Sequence, residues 1–501
     1  LETAARMRLL CNEIRTLARV AKLLHECAVR MGKMLHKRYA EQHGGPPHLA
    51  SLDAVLEHAP AHKKVFYAKV CSQLKGETPR RDGLIREGFD PILDTRGSCF
   101  VKQEAYLNHS KEVKLFYANS EGQEVKEKDP RPRLICDQNP CKVLMMSRIL
   151  LPIEDWVYAQ SILEGSPRCM AKGLNSEQTG SLLLEKWSMF STPVALCGDC
   201  SSFDGHVTVD QLKAVHTFYK QMFPQLYAIP ELLACLNSQL FNRCKSRVGF
   251  SFACKGRRMS GDRDTAFGNT LLTVMFVHTA LWKVKFELIC DGDDFVVICE
   301  DSIRQQVKSK LMDFYTGLGH ELGFDVITTQ FEHVDFCQKK PIILSPGRCK
   351  LIRNPMKVFS TVTASTRNYE SVGSRKALFR SIGIGDYYVN SNVPVFGELA
   401  RMLYRVSTGG ELSGVTSDAI KTLIGELQHN DPLRIRLIAE KNLPVDDYVS
   451  ASARYSFEQA YNISPVQQLA MEYFFKSTKH YDFTADIPVC THPSAPAYGD
   501  V

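Results

Sequence analysis

The sequence predicts an α+β fold in which short apolar strands, including an antiparallel hairpin, are embedded among helices. Three observations predict it. Between Pro193 and Phe359, apolar runs of strand length such as Val194-Ala195-Leu196-Cys197 alternate with helical stretches. Two further runs, Phe286 to Cys290 and Phe295 to Cys299, bracket Asp291-Gly292-Asp293-Asp294, a glycine-and-carboxylate segment suited to a hairpin turn. Beyond Phe359 the pattern is mostly helical, with breaks at Gly409-Gly410 and Pro444 and a proline-containing tail from Pro488 to Val501.

Taken in order, the chain opens with a helical pattern from Leu1 to about His43, ended by Gly44-Gly45-Pro46-Pro47, so residues 1–45 read as an arm. Met7, Leu10, Ile14, Leu17, Ala21, Leu24, Ala28, Met31 and Leu35 recur every three or four residues and form one apolar seam. Such a seam must be covered by the chain's own body, by a second copy, or by a membrane or partner surface. Ala21 and Ala28 bury little area, so self-association through it is expected to be marginal. Residues 46–192 carry a basic stretch from Lys126 to Arg133 and helical segments near Leu144 to Leu163 and Gly180 to Met189. A helix follows Thr208, and another runs from Asp264 into Thr279. There is no internal repeat and no low-complexity tract.

Lys and Arg number 62 against 55 Asp and Glu, a net charge of +7, and 44% of the 501 residues are hydrophobic. That is an ordinary globular composition, which argues against a collagen, a disordered tail or a membrane bundle. Lys283, Lys285 and Glu287 interrupt the most apolar stretch, near Val274 to Ile289, so no membrane-spanning segment is expected. The 17 cysteines are odd in number and scattered, which fits a reducing compartment. Cys197 and Cys200 have zinc-like spacing, but no second half-site accompanies them, and they read as structural. The chain starts at Leu1 without a charged-then-apolar signal, as a product or fragment of a longer protein would.

The chemistry is carried by carboxylates. Asp199 and Asp204 follow directly on an apolar strand, and Gly292-Asp293-Asp294 sits at the hairpin turn. Several carboxylates in one place repel, and hard divalent cations relieve that repulsion; Mg²⁺ is usually held by one or two carboxylates plus substrate phosphates. Alone, Gly-Asp-Asp is weak, expected by accident on the order of one time in ten in a chain this long. Its company strengthens it. Ser260-Gly261-Asp262-Arg263-Asp264-Thr265-Ala266-Phe267-Gly268-Asn269 falls between the two carboxylate sites, and Thr265 and Asn269 share one face of a helix, as groups that bond a sugar would. The bland alternatives are a plain hairpin turn and a polar helix face.

The order Asp199…Asp204, Ser260-Gly261…Thr265…Asn269, Gly292-Asp293-Asp294 resembles palm motifs A, B and C of viral RNA-dependent RNA polymerases. The wording resembles the tombusvirus-like group of positive-strand RNA viruses at Phe100-Val-Lys102-Gln-Glu104, Lys172-Gly-Leu-Asn175, Phe203-Asp-Gly-His206-Val, Arg258-Met-Ser-Gly-Asp262, Phe336-Cys-Gln338-Lys-Lys-Pro341 and Arg353-Asn-Pro355. The resemblance implies a right-hand fold: fingers at 46–192, palm at 193–358 with an inserted fingers segment at about 216–256, and a mainly helical thumb with the C-terminal tail at 359–501. It implies an enzyme that copies single-stranded RNA into RNA with two Mg²⁺ or Mn²⁺ ions and starts without a primer.

Residue by residue, the resemblance implies that Asp199, Asp293 and Asp294 hold the metals and act in catalysis. Asp204 and Asn269, with Ser260 or Thr265, would read the ribose 2′-hydroxyl. Arg133, with Lys126, Lys128 and Arg131, is similar to the basic motif that contacts the triphosphate. Gln138 and Cys141 stand where further arginines are expected, and Lys142 is one place away. Lys102, Glu104 and Gly261 would contact RNA, and Phe336, Cys337 and Gln338 resemble the turn that supports the primer strand. Leu322 to Ile327 resembles the loop that elsewhere carries a general-acid lysine; Ile327 stands in its place, with His320 as a possible substitute. Tyr387, Tyr388 or Tyr404 would stack on the first nucleotide. Expected partners are template RNA, nucleoside triphosphates, viral accessory replication proteins and host membranes, the last through a region or partner outside this chain, at membrane-associated complexes in the host cytoplasm. A reverse transcriptase is the related alternative, disfavoured by the ribose-reading groups. A catalytically dead RNA-binding scaffold is the other, disfavoured by carboxylates clustered beside a polyanion.

Overall fold

The arm's long helix, α1, runs Ala18–His43 and so starts well after Leu1. The residues just before it are committed elsewhere: the Leu17 N–H donates to the Gly317 carbonyl (2.8 Å), and the Thr16 hydroxyl lies 2.8 Å from that of Thr208. Gly44, at φ +73°, ends the helix as the sequence requires. The computed structural model describes residues 2, 5, 6, 9, 10, 14–80, 82–101, 134–163, 165–362, 371–409 and 448–484. Lys102, Glu104, Lys126, Lys128, Arg131 and Arg133 lie outside the described residues, as does the tail after Thr484. The chain divides into two compact units, one within Leu1–Lys102, Arg133–Lys172 and Met189–Thr329, the other within Gln103–Pro132, Gly173–Ser188 and Gln330–Val501.

In the first unit α1 lies along α2 (Val209–Met222), where a Cβ at Gly32 would come 2.5 Å from the Gln221 Cβ. Leu24, Ala28, Met31 and Leu35 of the seam are buried there, whereas Leu17 is 62% exposed. The body itself therefore covers the seam from Leu24 to Leu35, and that stretch needs neither a second copy nor a membrane to bury it. The strands of this unit are β1 (Arg96–Val101), β2 (Leu134–Asp137), β3 (Pro193–Cys200), β4 (Phe241–Lys245), β5 (Ser251–Lys255), β6 (Glu287–Asp291), β7 (Asp294–Glu300) and β8 (Leu322–Thr328). They form two sheets, ordered β2-β1-β4-β5 and β6-β7-β3-β8. The second is antiparallel throughout; in the first, β1 and β4 run parallel. Leu322 to Ile327, expected as a loop, is thus an edge strand paired with β3.

Helix α3 (Thr265–Ala280) is buried at every position from Phe267 to Val277, as an all-round apolar helix must be. It shares one hydrophobic core with α1, α2, α4 (Arg304–Leu318) and the sheet around β3. Among the described residues no cysteine is in a disulfide, and Cys197 and Cys200 are buried in β3, consistent with packing. No described helix is long and apolar enough to cross a membrane.

In the second unit the helix Ser176–Trp187, opened by an Asn175–Gln178 capping box, lies on the hairpin of β9 (Lys339–Ser345) and β10 (Arg348–Arg353). A Cβ at Gly180 would meet the Cys349 carbonyl at 2.6 Å, so only glycine allows that approach. Helices α5 (Val372–Asn390), α6 (Phe396–Val406) and α7 (Ala451–Tyr461) supply Phe379, Phe396, Leu399 and Phe457 to a separate core with Ile342 and Ile352, and α8 (Pro465–Ser477) packs Met471 and Phe475 against it. This unit joins Gly173–Ser188 to the stretch Gln330–Val501, because that helix packs on β10. The observed class is α+β with predominantly antiparallel sheets and a mainly helical C-terminal part.

Candidate active site

Strand β3 delivers Asp199 to the site. Gly198 pairs with Phe295 of β7, and a Cβ on Gly198 would meet the Phe295 ring at 2.3 Å, so glycine lets the two strands close directly before Asp199. Asp199 is exposed at the strand end. On the neighbouring strands Asp291 pairs with Asp294 across the two-residue turn Gly292-Asp293, with Gly292 at φ +68°, the hairpin expected from the sequence. Helix α3 pins this turn: the Gly292 N–H donates to the Thr270 hydroxyl, and the Thr273 hydroxyl donates to the Gly292 carbonyl, both at 2.8 Å. Thr270 and Thr273 were not singled out from the sequence, although two threonines three apart in an apolar helix are a signal that something polar faces them.

The turn's carboxylate is electrostatically loaded. Burial pushes the Asp293 carboxyl up to about 7, and Asp204, Asp294 and Asp199 add repulsion in the same direction. The same burial and the three aspartates Asp293, Asp199 and Asp294 drive the Cys200 thiol well up, so it stays protonated. An oxygen-only donor set carrying unrelieved negative charge is what a hard divalent cation fits. Among the described residues no three potential ligands stand close enough to enclose an ion by themselves. Asp199 and Asp293 match the sparser pattern, in which one or two carboxylates are completed by water and substrate phosphates.

Beside the carboxylates is a polar cluster built from the helical turn Phe203–His206, the loop at Ser260 and helix α3. The Ser260 hydroxyl donates to Asp204 Oδ2 and the Asn269 Nδ2 donates to Asp204 Oδ1, both at 2.8 Å. Beneath them Arg258 is wholly buried; its Nε donates to Asn269 Oδ1 (3.2 Å) and its Nη1 to Asp264 Oδ1 (2.9 Å). Asp264 also accepts from Gln239 Nε2 (2.7 Å) and the Tyr219 hydroxyl (3.0 Å). Burial alone would raise the Asp264 carboxyl, but Arg258 and these donors hold it below the usual carboxylate range.

Several expected site residues lie elsewhere. The Thr265 hydroxyl reaches the carbonyls of Met259 (2.8 Å) and Asp262 (2.9 Å), so it ties the loop and leaves Ser260 to join Asp204 and Asn269. Gly261 packs on β2, where a Cβ would meet the Cys136 carbonyl at 2.3 Å. Lys142 is 1% exposed and forms an ion pair with Asp262 at 3.3 Å, so it is closed off from a triphosphate. His320 is buried, not exposed; burial, with His206 adding to it, takes the imidazole down to about 3, and its Nε2 is 2.9 Å from Gln211 Oε1. A ring held neutral in the core is no proton donor, which removes His320 as the substitute general acid. In the second unit Phe336 and Lys339 exchange backbone hydrogen bonds across Cys337 and Gln338, at φ +53° and +59°, a tight two-residue turn. Tyr387 is buried, with the Arg401 guanidinium 5.2 Å from its ring centre, and packs as core. Tyr404 is covered by Arg380 at 4.1 Å, and Tyr388 is half-buried.

A carboxylate turn pinned by a buried helix, a second carboxylate at the adjoining strand end and a hydroxyl–carboxylate–amide cluster beside them form one polar site on an antiparallel sheet. The family model described as viral RNA dependent RNA polymerase matches residues 101–481, and the chain belongs to that family. Among curated relatives, the RNA-directed RNA polymerase of Oat chlorotic stunt virus is 27% identical over 378 residues, 74% of this chain and 50% of the relative. That of Groundnut rosette virus is 31% identical over 393 residues, 77% of this chain and 43% of the relative. That of Maize chlorotic mottle virus is 29% identical over 461 residues, 89% of this chain and 43% of the relative. The chain spans half or less of the length of these relatives.

Proposed function

We propose that the chain is the catalytic part of a viral replicase that copies single-stranded RNA into RNA by two-metal nucleotidyl transfer, with initiation independent of a primer. The observation that carries this reading is the junction of the Asp199 strand end with the pinned Gly292-Asp293-Asp294 turn, beside Asp204, Asn269 and Ser260. On this reading the sheet β6-β7-β3-β8 is the palm, the stretch Gln330–Val501 contains the thumb, and residues 46–192 supply the fingers. Mg²⁺ or Mn²⁺, as two ions held by Asp199 and Asp293 with Asp294 close by, would supply charge neutralisation at the transferring phosphoryl group.

The chain's own residues position. Thr270 and Thr273 hold the turn so that Asp293 is aimed before substrate arrives, which removes reorganisation from the reaction itself. Asp204 offers acceptor oxygens and Asn269 an amide N–H to a ribose 2′-hydroxyl, which both donates and accepts. Arg133, Arg131 and Lys128 are assigned to the triphosphate, and Lys102, Glu104, Gly261, Phe336, Cys337 and Gln338 to RNA, on the resemblance alone. Accessory replication proteins and host membranes, in membrane-associated complexes of the host cytoplasm, complete the proposal.

The test is incubation of the purified chain with single-stranded RNA, divalent metal and labelled ribo- or deoxyribonucleotides, with and without a primer. Template-length RNA made from ribonucleotides supports the reading. Product from deoxyribonucleotides alone would point to a reverse transcriptase, binding without product to a scaffold, and product only from primed templates would remove primer-independent initiation.

A further inference from the structure

Arg258 touches both halves of the sugar-facing cluster from below. Its backbone N–H donates to the Asp204 carbonyl (2.9 Å), while its Nε donates to Asn269 Oδ1 (3.2 Å). An arginine nitrogen only donates, so the side of the Asn269 amide facing it must be the oxygen. The other side, Nδ2, is thereby turned to Asp204 Oδ1 at 2.8 Å. A flipped amide would set oxygen against carboxylate and nitrogen against guanidinium, two repulsive contacts in place of two bonds.

The guanidinium is itself fixed. Nη1 is held by Asp264, which is gripped in turn by Gln239 and Tyr219, and Gln239 Oε1 lies 2.9 Å from the buried His216 Nε2. Nη2 has no hydrogen-bond partner among the described residues and occupies the space that Gly268 leaves open. A Cβ at Gly268 would come 2.4 Å from Nη2, so the absence of a side chain one residue before Asn269 admits the arginine.

We propose that Arg258 is a positioning residue for sugar selection: from beneath the site it sets the direction of the Asn269 amide and anchors Asp204, so that ribonucleoside triphosphates are preferred over their 2′-deoxy counterparts. This rests on the polymerase reading above. Arg258 does not touch the nucleotide; its side chain acts through Asn269, while the bond to Asp204 comes from its backbone N–H and survives a change of side chain.

The test compares the full chain with Arg258→Lys, Gly268→Ala, Asn269→Ala and the two double variants that combine each of the first two with Asn269→Ala. Measured are kcat and KM for a ribonucleotide and its 2′-deoxy analogue on one RNA template, with template affinity and melting as controls. Lysine keeps the charge opposite Asp264 but has no second nitrogen for Asn269. The alanine Cβ at position 268 displaces the guanidinium end, so this variant decides the matter if Arg258→Lys does not fold. Arg258→Lys and Gly268→Ala should each lower the ribo-to-deoxy ratio of kcat/KM about tenfold, the loss of one charge-assisted hydrogen bond. In the Asn269→Ala background neither should lower it further. Equal loss with both sugars, or an undiminished further drop in that background, overturns the proposal while the polymerase reading stands. An unmodified chain that incorporates neither sugar, or prefers the deoxy form, overturns both.

Discussion

Replacing Asp264 by alanine leaves the most deeply buried charge of the site, Arg258, without its counter-ion. Both side chains are 0% exposed and their atoms are 2.9 Å apart, so water cannot take the carboxylate's place. Breaking such a pair from one side costs about 3–5 kcal/mol. Gln239 and Tyr219 also lose their acceptor, at about 1–3 kcal/mol for each donor left dry, although relaxation into the vacated space keeps the terms from adding fully. We expect a net loss of about 4 kcal/mol, which lowers the melting temperature by about 10 °C at some 2–4 °C per kcal/mol for a large domain. Asp264→Asn, which keeps an acceptor and loses the charge, should fall between. The assay is thermal unfolding followed by near-ultraviolet circular dichroism from pH 3 to pH 8. Because Asp264 is held below its ordinary value, its contribution is complete above the unfolded carboxylate range near pH 4 and is lost as pH falls through its lower folded value. The gap between wild type and Asp264→Ala should therefore be full at pH 7 and narrow below about pH 4. A gap at pH 7 of less than about 3 °C would refute the buried-pair argument.

Asp293→Asn should abolish nucleotide incorporation and leave RNA affinity nearly unchanged, since on the proposed reading the carboxylate would hold the metals and not the template; incorporation within about threefold of wild type removes Asp293 from catalysis. Thr270→Val with Thr273→Val unpins the turn and should cut single-turnover incorporation by about ten- to a hundredfold at constant RNA affinity, and an unchanged rate would show that the strands alone hold it. Leu24→Glu, at a fully buried position of the arm, should cost more than about 3 kcal/mol and collapse soluble yield, while Leu17→Glu stays within about 0.5 kcal/mol; gel filtration and melting decide, and a soluble, stable Leu24→Glu monomer would refute docking of α1 on the body.

The strands and the carboxylate turn were legible because their physics is local. Val194 to Cys197 and Phe295 to Cys299 are continuous apolar runs covered on both faces, and Gly292 is the residue a tight turn demands. Helix α3 was legible from its length and apolarity. What stayed hidden depended on partners distant in sequence. Nothing near His320 reveals that Gln211, 109 positions away, takes its ring nitrogen inside the core. Lys142 reads as a candidate phosphate contact until Asp262 closes over it. The arm's periodicity marked the buried face from Leu24 to Leu35 but overran the helix start, because long-range bonds at Thr16 and Leu17 outcompete the helical path. Thr265 shares a helical face with Asn269 as the spacing requires, yet its hydroxyl turns back to the preceding loop. Periodicity fixes a face, not a rotamer.

Helix α3 carries Asn269 one turn in from its start and Thr270 and Thr273 immediately beyond. One stiff rod therefore bears both the group proposed to sense the sugar and the hydroxyls that clasp the carboxylate turn. Its tightly packed flanks give it little freedom to yield at one end without moving the other. On the proposed reading, recognition and chemistry are mechanically ganged: a nucleotide that shifts the sensing end tilts the clasp as well, so a wrong sugar is penalised in the rate of bond formation in addition to its binding.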